Sequence, residues 1–208
     1  MEVNESMTKG QIRETYDRIA HWYDLMEAIP EFLGVKRLRH EILQRASGKV
    51  LEVAAGTGKN LRYYPKTCQI TAADMSSAML EIARRRADGL GLDITFLIMD
   101  AETLGIHDQS FDTVVSSLTL CTFPDPVTAL REMARVCRTN GRILLVEHGR
   151  SNRDRLGRWQ DRRADRHAAK VGCHWNREPL ELVLKAGLRV IDARRTFFGI
   201  FRLIEAMP

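Results

Sequence analysis

Apolar residues recur at three- and four-residue intervals near the start of the chain. Over residues 11–27, Ile12, Tyr16, Ile19, Tyr23 and Met26 share one stripe, which predicts an amphipathic helix. A second helical stretch is expected over 32–46, separated from the first by Pro30, which has no amide hydrogen to continue a helix. From Lys49 onward the period changes. Short apolar runs at 49–54, 69–73, 94–99, 113–117 and 142–147 read as buried strands, and amphipathic stretches at 59–64, 76–88 and 126–137 read as helices between them, with Ser76 as an N-cap. Alternation of this kind predicts a parallel, doubly wound α/β sheet covered by helices. The tail departs from it: an arginine-rich stretch at 152–170, a short helix at 178–186, then extended runs at 189–196 and 200–205 around Phe197, Phe198 and Gly199. Those two runs read as an antiparallel pair closing the sheet edge, which makes seven strands, mostly parallel, with an antiparallel C-terminal strand. No repeat or low-complexity linker interrupts the pattern, so one domain is expected over 1–208. Its parts are a helical extension at 8–46, a sheet core at 48–147 and a C-terminal part at 148–208.

Composition narrows the class. The 208 residues are 44% hydrophobic and 28% charged, enough to bury one soluble core. No run approaches the roughly 18 apolar residues of a membrane-spanning helix, which excludes an integral membrane protein of that kind. The net charge of +5 is local: residues 150–170 hold eight cations against three anions, and the remainder is near neutral. As a helix, this stretch would turn Leu156, Trp159, Ala168 and Val171 inward and Arg155, Arg162, Arg166 and Lys170 outward, with pairs such as Asp154 and Arg158. It reads as a solvated face or as a contact with anionic lipid headgroups. The charge is too small to imply a nucleic-acid partner. Cys68, Cys121, Cys137 and Cys173 lie far apart without a C-x-x-C pair, and the first thirty residues do not read as a secretory leader, so a reducing cytoplasm is expected.

In a doubly wound sheet, ligands bind beyond the carboxyl ends of the strands. After the first strand stands Glu52-Val53-Ala54-Ala55-Gly56-Thr57-Gly58, a loop whose glycines let a ligand rest on the backbone. A dinucleotide fingerprint needs a further glycine where Leu61 stands, so the loop suits a nucleoside better than a pyrophosphate. After the second strand Asp74 is placed to accept from ribose hydroxyls, and after the third Asp100, followed by Ala101, from an adenine amino group. In this order they point to an adenosine-containing ligand.

These residues resemble the class I S-adenosylmethionine-dependent methyltransferases, a Rossmann-like family. Glu52 to Gly58 is similar to the family's first motif, and Asp74-Met75-Ser76 with Ala78-Met79-Leu80 to its second. Asp100-Ala101 is similar to its adenine turn, Ser110-Phe111-Asp112 to the entry of its fourth strand, and the run from Arg135 to Arg142 to the turn into its fifth. Ala54 and Asn140 stand where glycines are usual; Asn140 tolerates a left-handed conformation, and Ala54 adds a methyl at the methionine end of the site. Tyr16-Asp17-Arg18-Ile19-Ala20 with Tyr23-Asp24-Leu25 resembles the lid helix of quinone C-methyltransferases. Leu120-Cys121, Glu147-His148-Gly149, Trp159, His167 and Gly172-Cys173-His174-Trp175-Asn176-Arg177 resemble a methyltransferase-like group that includes thiol S-methyltransferases. The membrane anchor of that group is not expected here. Bacterial phospholipid N-methyltransferases share the general motif order.

The resemblance implies a lid at 8–46, a cofactor core at 48–147 and an acceptor side at 148–208. The implied cofactor is S-adenosyl-L-methionine, leaving as S-adenosyl-L-homocysteine, with Tyr23, Glu52, Ala54, Gly56, Gly58, Asp74, Met75, Asp100, Ala101 and Ser117 at its site. The implied acceptor is a small lipophilic thiol, phenol or quinone ring carbon; a phospholipid amine is the alternative acceptor, and a non-catalytic S-adenosylmethionine-binding protein the alternative class. No Asn-Pro-Pro-Tyr-type motif suggests a nucleic-acid substrate. His148, after the fifth strand, is either the base that takes the acceptor's proton or a structural hydrogen-bonding histidine. Cys121 reads as a small buried hydrophobe. Cys173-His174 finds no partner at ligand spacing in the sequence, so no metal is expected. The location implied is cytoplasmic, and peripheral to a membrane if the 150–170 stretch meets lipid.

Overall fold

The computed structural model describes residues 7–208. The chain enters through helix α1 (Lys9–Met26), opened by a capping box in which Thr8 and Gln11 satisfy each other's free amides. A single turn, α2 (Ala28–Pro30), leads into a kinked segment, Glu31–Val35, and then α3 (Lys36–Leu43). The expected helix over 32–46 is therefore shorter, because Gly34 sits at φ 136° and breaks it. There follow β1 (Lys49–Val53), β2 (Gln69–Asp74), α4 (Ser77–Leu90), β3 (Ile94–Ile98), β4 (Phe111–Ser117), α5 (Pro126–Val136) and β5 (Cys137–His148). The tail forms α6 (Asp154–Val171), α7 (Pro179–Ala186), β6 (Arg189–Thr196) and β7 (Phe201–Met207).

The strands form one sheet in the order β3-β2-β1-β4-β5-β7-β6. Pairing is parallel from β3 through β5; β7 runs antiparallel to both β5 and β6. The expected closing pair is present, with the last strand inserted between β5 and β6. Alternate residues of the central strands feed two apolar layers, as a sheet buried on both faces requires. Leu51, Val53, Val114, Ile143 and Leu145 pack with α5 on one face, while Val50, Val115, Leu144 and Val146 pack with Leu38 and Ile42 of α3 on the other.

Local differences from the sequence reading have local causes. The stretch 59–64 is only one turn, Leu61–Tyr63, stopped before Pro65. Strand β5 starts at Cys137 rather than 142, because Cys137 pairs with Phe111 and Arg138 makes an ion pair with Asp112. Asn140 consequently lies within a strand and has no left-handed backbone. Helix α6 buries Gly157, Gln160, Ala164 and Ala168, whereas Trp159 is 39% exposed. Gln160 decides that rotation: its side chain accepts from Ser151 N at 2.7 Å and donates to Gly149 O at 3.1 Å, clamping α6 onto the loop after β5.

Candidate functional site

The carboxyl ends of β1, β2 and β4, with the turn after β3, open into one cavity, where strand order reverses between β1 and β4. Leaving β1, Ala54 adopts φ 54°, Gly56 φ 56° and Gly58 φ 74°, folding the loop back on itself. Ala55 N donates to Ala73 O at 3.0 Å and holds the loop against β2. Asp74 ends β2 with its carboxylate accepting from Gly56 N and Ser76 N, each at 2.8 Å. Burial lifts its pKa above the ordinary value, with backbone amides opposing that shift. After β3, Asp100 accepts from Glu102 N at 2.9 Å and from Lys9 Nζ at 2.6 Å.

At the cavity's inner end Glu52 is buried and accepts from Asn60 Nδ2 and Tyr64 OH, both at 2.8 Å. Burial dominates those bonds and pushes its pKa up to about 7. Asn60 also donates to Ser117 Oγ at 3.0 Å, and Arg39 donates to Asn60 Oδ1 at 2.9 Å.

Helix α1 lies across the opening and is latched by charge. Asp17 accepts from Ser76 Oγ at 2.5 Å, Asp24 from Thr57 Oγ1 at 2.7 Å and from Arg86, and Lys9 reaches Glu102 at 2.8 Å as well as Asp100. The helix directs Tyr16 and Tyr23 into the cavity, where burial raises both phenol pKa values. Lys59 Nζ lies over the Tyr23 ring, 5.5 Å from its centroid, and is buried with no hydrogen-bond partner; burial lowers its pKa.

Of the residues expected at a cofactor, Tyr23, Glu52, Ala54, Gly56, Asp74, Met75, Asp100, Ala101 and Ser117 line this cavity. Gly58 does not; it lies against Leu61 and Ala83, where a Cβ would clash at 2.8 Å and 3.1 Å. Lys9, Tyr16, Arg39, Thr57 and Lys59 also line it; Tyr16 belongs to the lid-helix motif and Thr57 to the glycine loop, neither with an expected cofactor role of its own, and no motif marks Lys9, Arg39 or Lys59. Tyr16 carried a signal, since it shares the apolar stripe with Tyr23; Lys9 and Lys59 carried none, because lysines are common on any surface.

His148 is not among the lining residues. Its neighbour Glu147 points the other way, fully buried, accepting from Thr119 N at 3.0 Å and Leu120 N at 3.3 Å, and burial brings its pKa to about 7. His148 Nε2 lies 3.1 Å from Cys121 Sγ and 3.6 Å from Cys173 Sγ. Burial works against its charge, but the hydrogen bond to Cys173 prevails and raises its pKa. The Cys121 thiol and His148 hold Cys173 well below the ordinary thiol range, while Cys121, beside Cys173 and buried, is held above it. His174 is not in this group; its backbone N donates to Cys121 O at 2.8 Å. Among the described residues this is the one gathering of three metal-ligating groups, and its members lie far apart in the sequence.

A methyltransferase-domain family matches residues 51–145. The chain is 31% identical over 206 residues to "Methyltransferase OMS1, mitochondrial" of Saccharomyces cerevisiae, covering 88% of this chain and 43% of that one. It is 40% identical over 103 residues to a phosphatidylethanolamine N-methyltransferase of Cereibacter sphaeroides, covering 49% and 51%. With the ubiquinone/menaquinone biosynthesis C-methyltransferase UbiE of Pseudoalteromonas translucida it shares 31% identity over 170 residues, covering 76% of this chain and 67% of the relative. The match thus spans about half the length of the first two relatives. The glycine loop, the ordered acids and the sheet that carries them agree with these relationships: the chain belongs to the class I S-adenosylmethionine-dependent methyltransferases.

Proposed function

We propose that the protein transfers the methyl group of S-adenosylmethionine to a small lipophilic acceptor, a thiol, a phenol or a quinone ring carbon. The observation that carries this reading is the convergence of nine expected cofactor residues on one cavity under a tyrosine-bearing helix. The chemistry of the lining fits the cofactor. Lys59, buried with no hydrogen bond and 3.7 Å from the Asp24 carboxylate, has donors left for a second carboxylate, Asp74 suits ribose hydroxyls, and Asp100 suits an amino group. When bound, the cofactor supplies a methyl already activated on a sulfonium. The protein's work is then to hold the acceptor in line with that methyl and to exclude water. Tyr16, Tyr23 and Phe123 give the acceptor end an apolar wall, and the latched α1 covers part of the opening.

The test is titration calorimetry with a panel of acceptors. Saturable S-adenosylmethionine binding is expected, weakened at least about tenfold by Asp74→Ala, the loss of one charge-assisted hydrogen bond being worth that much or more. Unchanged affinity would remove Asp74 from the site. Release of S-adenosylhomocysteine with an alkyl thiol or a demethylated quinone above the rate with phosphatidylethanolamine supports the reading. Preference for phosphatidylethanolamine replaces the acceptor with a phospholipid amine, as the name of the Cereibacter relative suggests. Absence of product with every acceptor leaves a binding protein.

We further propose that the acceptor comes from an anionic lipid surface. Trp22, Leu25, Met26, Ile29, Phe32 and Leu33 are each at least 55% exposed along the end of α1 and the kinked segment after it. Phe197 packs against Gly34 of that segment, and the Phe198 carbonyl accepts from Ser151 Oγ at 2.6 Å. Ser151 leads into α6, whose Arg153, Arg155 and Arg158 are exposed. Exposed apolar side chains on one segment and exposed arginines on another match the two attractions of an anionic bilayer interface. No helix among the described residues is long and apolar enough to cross a membrane.

A further inference from the structure

Cys121, His148 and Cys173 come from the turn after β4, the last residue of β5 and the turn beyond α6. Their three ligand atoms all lie within 4.8 Å of one another, with His148 Nε2 3.1 Å and 3.6 Å from the two sulfurs. Around a tetrahedral Zn2+, with bonds of about 2.3 Å to sulfur and about 2.0 Å to nitrogen, ligand atoms stand about 3.5–3.8 Å apart. The 3.6 Å from His148 to Cys173 has that spacing, the 3.1 Å to Cys121 is about 0.4 Å shorter, and a shift of a few tenths of an ångström would admit the ion. Two thiols and an imidazole form a donor set for zinc and not for magnesium or calcium, which take oxygen.

The surroundings hold the set in place. Arg177 Nη1 donates to Leu120 O and Phe123 O, both at 2.7 Å, bracing the Cys121 turn from either side. His174 N ties the Cys173 turn to Cys121 O, and Glu147, next to His148, is fixed by Thr119 and Leu120 amides. His167 lies flat on Trp175, ring centroids 4.2 Å apart, and reaches Cys173 with a hydrogen bond, but its ring nitrogens are not within the group of three mutually close ligand atoms. Three protein ligands with a fourth position left over is the pattern of a catalytic rather than a structural zinc. Leu118, Thr119, Thr122 and Phe123, on both sides of Cys121 in the chain, line the cavity, so the cluster lies directly behind that stretch of wall although none of its three members is itself a lining residue.

We propose that Cys121, His148 and Cys173 bind one zinc ion whose fourth position takes the sulfur of a thiol acceptor. The occupant of the fourth position rests on the methyltransferase reading; the metal site does not. On binding, the acceptor thiol gives up its proton to solvent and stays as a thiolate. Its lone pair forms the new sulfur–carbon bond as the sulfonium sulfur–carbon bond breaks, and the electron pair of the broken bond remains on the departing thioether. Both products are neutral thioethers and weaker ligands than the thiolate, which favours release. In this arrangement His148 is a ligand and not a proton acceptor.

Metal analysis of protein purified without chelator tests the site. About one zinc per chain is expected, falling below about a tenth in Cys121→Ser and in Cys173→Ser and unchanged in Cys68→Ser. Since either ligand variant could misfold, cobalt is added in parallel to chelator-treated wild-type protein. A thiolate-to-cobalt charge-transfer band saturating at one equivalent, with tetrahedral d–d bands that shift on adding an alkyl thiol, supports the proposal. Less than about a tenth of an equivalent of zinc together with no cobalt spectrum overturns it. Tetrahedral bands that ignore the added thiol overturn the open fourth position. Calorimetry on the same protein separates the readings: S-adenosylmethionine binding by protein that takes up neither zinc nor cobalt defeats this proposal alone, while a loaded zinc site without S-adenosylmethionine binding defeats the methyltransferase reading.

Discussion

Ala54 is the clearest departure from the usual glycine loop, and its backbone explains what that departure costs. At φ 54° a Cβ meets the following carbonyl, a strain of about 1–2 kcal/mol that glycine does not feel. Glycine returns part of this gain through its greater freedom in the unfolded chain, about 0.5–1 kcal/mol. Ala54→Gly is therefore expected to stabilise the ligand-free protein by about 0.5–1 kcal/mol, a rise of about 2 °C in melting temperature by scanning calorimetry. A lower melting temperature would show that packing of the Ala54 methyl outweighs the strain. Gly58 shows the opposite case, since its contacts with Leu61 and Ala83 leave no room for a side chain. The two residues were read together from one motif, yet Ala54 faces the cavity and Gly58 faces α4. Spacing located the loop; only its path showed which residue could meet a ligand.

Helix α1 and the segment after it have two faces with different partners. The inner face buries Ile12, Thr15 and Ala20, and its polar groups are satisfied by Ser76, Thr57 and Arg86. The outer face leaves Trp22, Leu25, Ile29 and Phe32 in water, each at least 66% exposed. The sequence stripe marks the inner face as far as Tyr23 because its period matches a helix; its last member, Met26, is 55% exposed and lies with the outer apolar residues, the rest of which fall outside the stripe. Sedimentation with vesicles containing anionic lipid tests the outer face. Binding is expected to weaken as salt rises, through the arginines of α6, and Trp22→Ser with Phe32→Ser is expected to reduce it by about tenfold or more, the loss of two apolar anchors. Equal partition of the wild type and double variant would exclude this face from lipid contact. The charge of α6 was legible in the sequence, but its rotation was not, because Gln160 rather than an apolar residue anchors its buried side.

Across the whole molecule, burial sets how stability responds to pH. Glu52 carries its proton up to about pH 7 in the folded state, against about 4.5 when unfolded. Between these values the folded state binds more protons than the unfolded one, so this contribution is fully present below the unfolded value and is lost as pH rises through 7. The effect is on the order of 3 kcal/mol for this one buried group. Asp112, Asp125 and Glu132, whose pKa values are lowered chiefly by backbone amides for the first two and by Arg135 for Glu132, lose their contribution only at more acidic pH. The melting temperature of the ligand-free protein is thus expected to fall between about pH 5 and about pH 7.5, and Glu52→Gln to reduce that slope without abolishing it, since Glu147 titrates over the same range. Parallel slopes would place the titration elsewhere. The strand runs, the order of the glycine loop and the two acids, and the closing hairpin were determined by the sequence, because period-two and period-3.6 patterns and short-range motifs are local. Which strand the last one joined, that Lys9 and Lys59 reach the cavity, and that Cys121, His148 and Cys173 meet were decided only by tertiary structure. Those contacts join residues from separate elements, and no spacing along the chain encodes a distance that the folded sheet creates.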